Sequence, residues 1–129
     1  MAFNNTAQTN PAASVLVEIE TDPTTAGRAV VFENNVTGSS SGVIYMVEID
    51  NHLNSSDSYV KFRFSSSETS PTSLQAHIIL LAPPHEVINY AFPGGMEYTT
   101  GLTGWVTTSA ALSAGTMPVS VVRVRMLAT

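Results

Sequence analysis

The chain has 129 residues, a formal net charge of −5 and no cysteine. That length suits one domain, able to bury roughly two-thirds of the surface its unfolded chain exposes, and the missing thiols exclude disulfides, thiolate metal sites and cysteine nucleophiles together. The acidic balance argues against nucleic acid as a partner, because phosphate binding draws on clustered lysine and arginine, and only five such residues are present.

Met1 to Pro11 is polar and shows no periodicity, so residues 1–12 are expected to form a flexible arm, with a single domain over 13–129. The start lacks an apolar signal core, and no apolar run approaches the roughly 20 residues that span a bilayer, so neither secretion nor a membrane is expected. Three N-x-[ST] triplets, at Asn4, Asn35 and Asn54, are then expected to be chance matches.

Val15 to Glu20 alternates as a strand: Val15, Val17 and Ile19 on a core face, Leu16, Glu18 and Glu20 on the other. Ala29 to Glu33 is a short second strand after a loop with Pro23 and Gly27. Val43 to Asp50 sets Val43, Tyr45, Val47 and Ile49 on one face and Ile44, Met46, Glu48 and Asp50 on the other. Ser58 to Phe64 places Val60, Phe62 and Phe64 inward and Tyr59, Lys61 and Arg63 outward. The last two strands are expected to pair antiparallel, with Glu48 and Asp50 opposite Lys61 and Arg63.

Ser65 to Ser73 is the longest polar loop, a surface excursion with the composition of a binding loop. Leu74 to Ala82 becomes nearly continuously apolar, which predicts a central strand covered on both faces, closed by Pro83 and Pro84. Val87 to Phe92 and Leu102 to Thr108 read as strands of a rigid hairpin region, with turns marked by Pro93, Gly94, Gly95 and Gly101. Val119 to Leu127 is the final strand, with Ser120, Val122, Val124 and Met126 on one face and the arginines Arg123 and Arg125 on the other, solvent-facing one. About eight strands without a helix predict an all-β domain, an antiparallel β-sandwich of jelly-roll or immunoglobulin-like type.

The chemistry-bearing residues do not assemble in sequence. His52, His77 and His85 lie in separate segments without ligand spacing, so no metal site is expected. No G-x-S-x-G elbow and no helix-opening glycine loop occurs, and the acidic pairs Glu18/Glu20 and Glu48/Asp50 read as solvated strand faces. Neither catalytic residues nor a cofactor is therefore assigned. Only 12% of residues are charged, which leaves few repulsive groups and points to a homo-oligomer whose exterior is partly covered. Phe3, Tyr59, Met96, Tyr98 and Trp105 are the candidate interface residues. Trp105 would point outward if Leu102, Gly104 and Val106 are the buried set, and Tyr59 faces away from Phe62 and Phe64.

The segment PGGMEYTTGLTGWVTTSAALSAG, followed by VSVVRVRML, resembles the C-terminal pattern of small virion structural proteins of tailed bacteriophages. The resemblance covers about the last third of the chain. It implies a β-sandwich subunit of the particle, a non-enzymatic capsid cement or decoration protein that stabilises the shell by bridging neighbouring capsid subunits. Its implied partners are the major capsid protein or other virion proteins, its implied location is the virion assembled in the host bacterial cytoplasm, and a local trimer is the favoured arrangement. The alternative is a receptor- or carbohydrate-binding module of a phage fibre, using the Ser65 to Ser73 loop with Tyr59.

Overall fold

The computed structural model describes residues 15–21, 32–33, 36–65, 75–112 and 116–129. These contain eight strands: β1 Val15–Glu20, β2 Phe32–Glu33, β3 Gly42–Asp50, β4 Ser58–Arg63, β5 Ile78–Ala82, β6 Val87–Tyr98, β7 Thr103–Thr107 and β8 Arg123–Ala128. They form two four-stranded sheets, β1-β8-β3-β6 and β2-β7-β4-β5, in which every neighbouring pair is antiparallel. The expectation of an all-β sandwich holds. The predicted arm, most of the 65–73 loop and residues 29–31 of the second strand lie outside the described residues.

Strand order decides between the two expected wirings. An immunoglobulin sheet pairs consecutive strands, whereas here β1 pairs β8, β2 pairs β7, β3 pairs β6 and β4 pairs β5. That is one long antiparallel ribbon folded over so that β8 meets β3 and β7 meets β4, the wiring of a jelly roll. Every connection except β4 to β5 therefore crosses between the sheets.

The core lies between the sheets and follows the two-residue period. Val17, Ile44, Val47, Ile49, Val122, Val124 and Met126 meet Val60, Phe62, Leu80, Ala82 and Val106. Each of these valine, leucine, isoleucine, phenylalanine and methionine side chains contributes about 1.5–3 kcal/mol relative to exposure. A polar hub ties the loops together at one end. Asn51 Nδ2 donates to the carbonyls of Ser56, Ala82 and Pro83 at 3.1, 3.0 and 3.0 Å. Its Oδ1 accepts from Ser58 Oγ at 2.8 Å and from Asn54 Nδ2 at 2.9 Å. Asn54 in turn binds the backbone of Ser120 as acceptor and as donor. Asn54, one of the three sequon asparagines, is thus buried within the fold.

Several sequence expectations are corrected. β3 and β4 do not pair, because the 51–57 connection carries the chain from one sheet to the other; Glu48 and Asp50 face β8 and β6, and β4 lies between β7 and β5. A bulge at Tyr45 resets the register of β3, so Ile44 is fully buried while Val43 and Tyr45 are half-buried. β5 is an edge strand rather than a central one, and its Leu81 is exposed. The Pro93-Gly94-Gly95 cluster does not turn the chain. β6 continues through it, and the cluster bulges opposite Tyr45, since Ile44 pairs Met96 and Met46 pairs Ala91. Gly94 and Gly95 have φ of 79° and 86°, and a side chain on Gly95 would collide with Val43 Cγ1. β6 and β7 then belong to different sheets, so no hairpin joins them.

β8 begins at Arg123 rather than Val119, because the residues before it are bonded elsewhere. Val122 N donates to Thr21 Oγ1 and Thr21 N to the Val122 carbonyl, while Ser120 N serves the asparagine hub. Lys61, expected outward on an exposed face, is fully buried, as are its cross-strand neighbour Trp105 and the flanking Thr103 and Thr107. The outer face of the β2-β7-β4-β5 sheet is thus covered along β7.

Candidate functional site

The outer face of the β1-β8-β3-β6 sheet carries the arrangement most suited to a partner. Because opposite residues of paired strands share a face, register converts three short sequence stretches into rows. The first row reads Glu20, Arg123, Asp50, Val87; the second, Glu18, Arg125, Glu48, Asn89; the third, Leu16, Leu127, Met46, Ala91.

The first two rows are an ion-pair ladder. Arg123 Nε bonds Glu20 Oε1 at 2.7 Å and lies 3.6 Å from Glu18 Oε1. Arg125 Nε bonds Glu18 Oε2 at 3.0 Å, and its Nη1 lies 3.5 Å from Glu48 Oε1. The bond to Glu20 pushes the Arg123 guanidinium further up. Burial pushes the Asp50 carboxyl up, but hydrogen bonds from the His52 ring and backbone N–H, with the charges of His52 and Arg123, bring it below its usual value. Such exposed pairs orient a surface more than they stabilise a fold.

The third row and the β6 column are uncharged. Leu16 is 65% exposed and Val87 51% exposed, with Asn89 and Ala91 exposed and Leu127 and Met46 half-buried. The charged ladder is therefore bordered on two sides by uncharged surface. A shallow hollow lined by Asp50, His52, Leu53, Val121 and Arg123 marks the loop end of the ladder.

The histidines are used locally. His52 Nδ1 pairs with Asp50, His85 Nδ1 donates to the His52 carbonyl, and His77 Nδ1 accepts from Phe64 N while its ring stacks on Phe64. Among the described residues no group of three or more His, Asp or Glu could hold a metal ion.

The predicted interface residues do not converge. Phe3 lies outside the described residues. Leu102, Gly104 and Val106 are buried, so Trp105 takes the outer face of its sheet as that parity requires, but the face is covered and Trp105 is 2% exposed within its own chain; its reading as an interface residue is corrected. Tyr98 is also 2% exposed, its hydroxyl 2.6 Å from Thr37 Oγ1 and bonded to the Thr129 carbonyl. Met96 is half-buried against the core, and half-buried Tyr59 lies beside Thr107 and Leu81 on the opposite sheet. Leu16 and Leu127 were absent from the predicted set, although both occupy the charged-face parity of their strands. An apolar residue at a position whose next-but-one neighbours are charged was the available signal.

Family models, curated proteins and solved structures were compared with the chain, and none matches it.

Proposed function

We propose that the chain is a non-enzymatic virion structural protein, a capsid cement or decoration subunit that stabilises the shell by bridging neighbouring capsid subunits. The observation that carries this reading is the apolar row Leu16, Leu127, Met46, Ala91 beside an ordered ion-pair ladder on the outer face of one sheet. An apolar strip supplies the area that burial rewards, and charges fixed by their neighbours set one docking orientation. Jelly rolls recur in viral capsid proteins, and the resemblance of the last third of the chain to phage virion proteins points the same way.

The test is particle-level. Antibody against the chain should label the shell of assembled particles, and the purified chain should co-sediment with shells stripped of it. Leu16→Glu, on an exposed side chain, should abolish co-sedimentation with the fold intact. Label confined to a fibre tip, or no label on particles, would overturn the reading; the first outcome would favour the receptor- or carbohydrate-binding alternative.

A further inference from the structure

We infer that the β6 edge is a self-pairing seam, and that two copies of this chain join there about a twofold axis through Asn89 to make one continuous eight-stranded sheet. The inference goes beyond the shell-binding reading and does not depend on it.

β6 is the longest strand at 12 residues and stands at the end of its sheet. Among the described residues it pairs with β3 alone, so one line of its backbone N–H and C=O groups faces outward. Edge strands in monomers are commonly protected by charge, by proline or by bulges. Here the bulge spans Phe92 to Gly95 and includes the proline, and Val87 to Ala91 has neither, nor a charged residue. The neighbouring edge on that flank, β5, is differently placed. Its Leu81 carbonyl already accepts the Tyr90 hydroxyl at 2.5 Å.

The stretch is also self-complementary. In an antiparallel pair opposite residues must share a face, so a twofold pairing has to centre on a residue and not between two. Centred on Tyr90, it would set Pro93, which lacks an N–H, opposite Val87. Centred on Asn89, it sets Val87 of each copy opposite Ala91 of the other and Ile88 opposite Tyr90, and leaves Pro93 outside. Exposed Val87 and Ala91 then cover each other on the outer face, and the half-buried Ile88, Tyr90 and Phe92 close over the open flank of the core. The two Asn89 side chains meet on the axis, where each amide offers both donor and acceptor. A partner carrying charge on this strand would find none to answer it, and a second copy carries none. The twofold seam differs from the threefold cluster expected from sequence.

The absence of native cysteine makes the register directly testable. Opposite Cα atoms in an antiparallel pair lie about 4.5–5.5 Å apart, within disulfide reach. In the proposed register Asn89→Cys faces itself and should give a covalent dimer under mild oxidation. Ala91→Cys would lie roughly 13 Å from its own copy and should stay monomeric alone, but should cross-link when mixed with Val87→Cys. The unmodified chain should sediment as a dimer, and Asn89→Lys, which opposes two ammonium groups on the axis, should sediment as a monomer with an unchanged circular dichroism spectrum. A monomeric unmodified chain at its highest soluble concentration overturns the proposal. So does a dimer in which Asn89→Cys fails to cross-link or Ala91→Cys cross-links equally well alone. Shell co-sedimentation by monomeric Asn89→Lys would leave the cement reading standing; loss of co-sedimentation by dimeric Leu16→Glu would leave the seam standing.

Discussion

Asn54 donates its Nδ2 to the buried Oδ1 of Asn51 at 2.9 Å, and through that one bond three loops at one end of the sandwich share a single polar hub. Asn51 reaches the β5 to β6 turn and Asn54 reaches the residues before β8, so neither loop is held by its own sequence alone.

Removing either amide leaves buried groups without partners. Asn51→Ala strips bonds from three carbonyls and from the donors of Asn54 and Ser58, and should cost about 3 kcal/mol or more, since each buried orphan costs roughly 1–3 kcal/mol. Asn51→Asp keeps the shape but sets carboxylate oxygen against carbonyl oxygen, and should destabilise as well. Urea unfolding read by circular dichroism measures both; a loss below about 1 kcal/mol for Asn51→Ala would count against the hub.

The two bulge glycines should differ. Gly94 and Gly95 both have positive φ, but only at Gly95 does an added Cβ strike a neighbour, Val43 Cγ1. Gly94→Ala should cost about 1–2 kcal/mol from backbone strain alone. Gly95→Ala should cost clearly more, because Val43 and Tyr45 must move. Equal midpoints in a thermal melt of the two variants would contradict the bulge geometry.

Lys61 should leave a signature in alkaline stability. Burial pulls its ammonium below the usual lysine range. The unfolded chain then binds the proton more readily than the folded one. Stability contributed by this group therefore rises with pH from the lowered folded value and levels off above the unfolded value of about 10.4. Chemical unfolding of the unmodified chain and Lys61→Met across neutral to alkaline pH should show their difference moving in favour of lysine as pH rises. Parallel curves would mean that Lys61 titrates as it does in water.

Trp105 is the only tryptophan, so its fluorescence reports one place. Its burial predicts blue-shifted emission in the folded chain and a red shift on unfolding. Among the described residues its indole Nε1 finds no hydrogen-bond partner. Trp105→Phe removes that unsatisfied donor and should cost less than about 1.5 kcal/mol, whereas Trp105→Ala opens a cavity and should cost about 3–5 kcal/mol.

What the sequence determined by itself was strand parity, and through it the fold class. Val17 against Glu18, Val60 and Phe62 against Tyr59, and Val124 and Met126 against Arg125 all take the faces their alternation assigns. Alternation is fixed by pleating within one strand, so it needs no knowledge of the partner. Tertiary structure alone decided which strands meet. Glu18 finds Arg125 across 107 residues, and Leu16 finds Leu127, because the ribbon pairs β1 with β8, and folding it over then sets β8 beside β3 and β7 beside β4. The same step buried Lys61 and Trp105 on a face whose alternation looked solvent-facing, turned the Pro93-Gly94-Gly95 cluster into a bulge, and left β6 at an edge. Parity is a local steric property of each residue and its neighbours, whereas pairing and burial depend on what the rest of the chain places alongside. The apolar row and the open edge belong to the second kind, and their components were visible in sequence only one at a time.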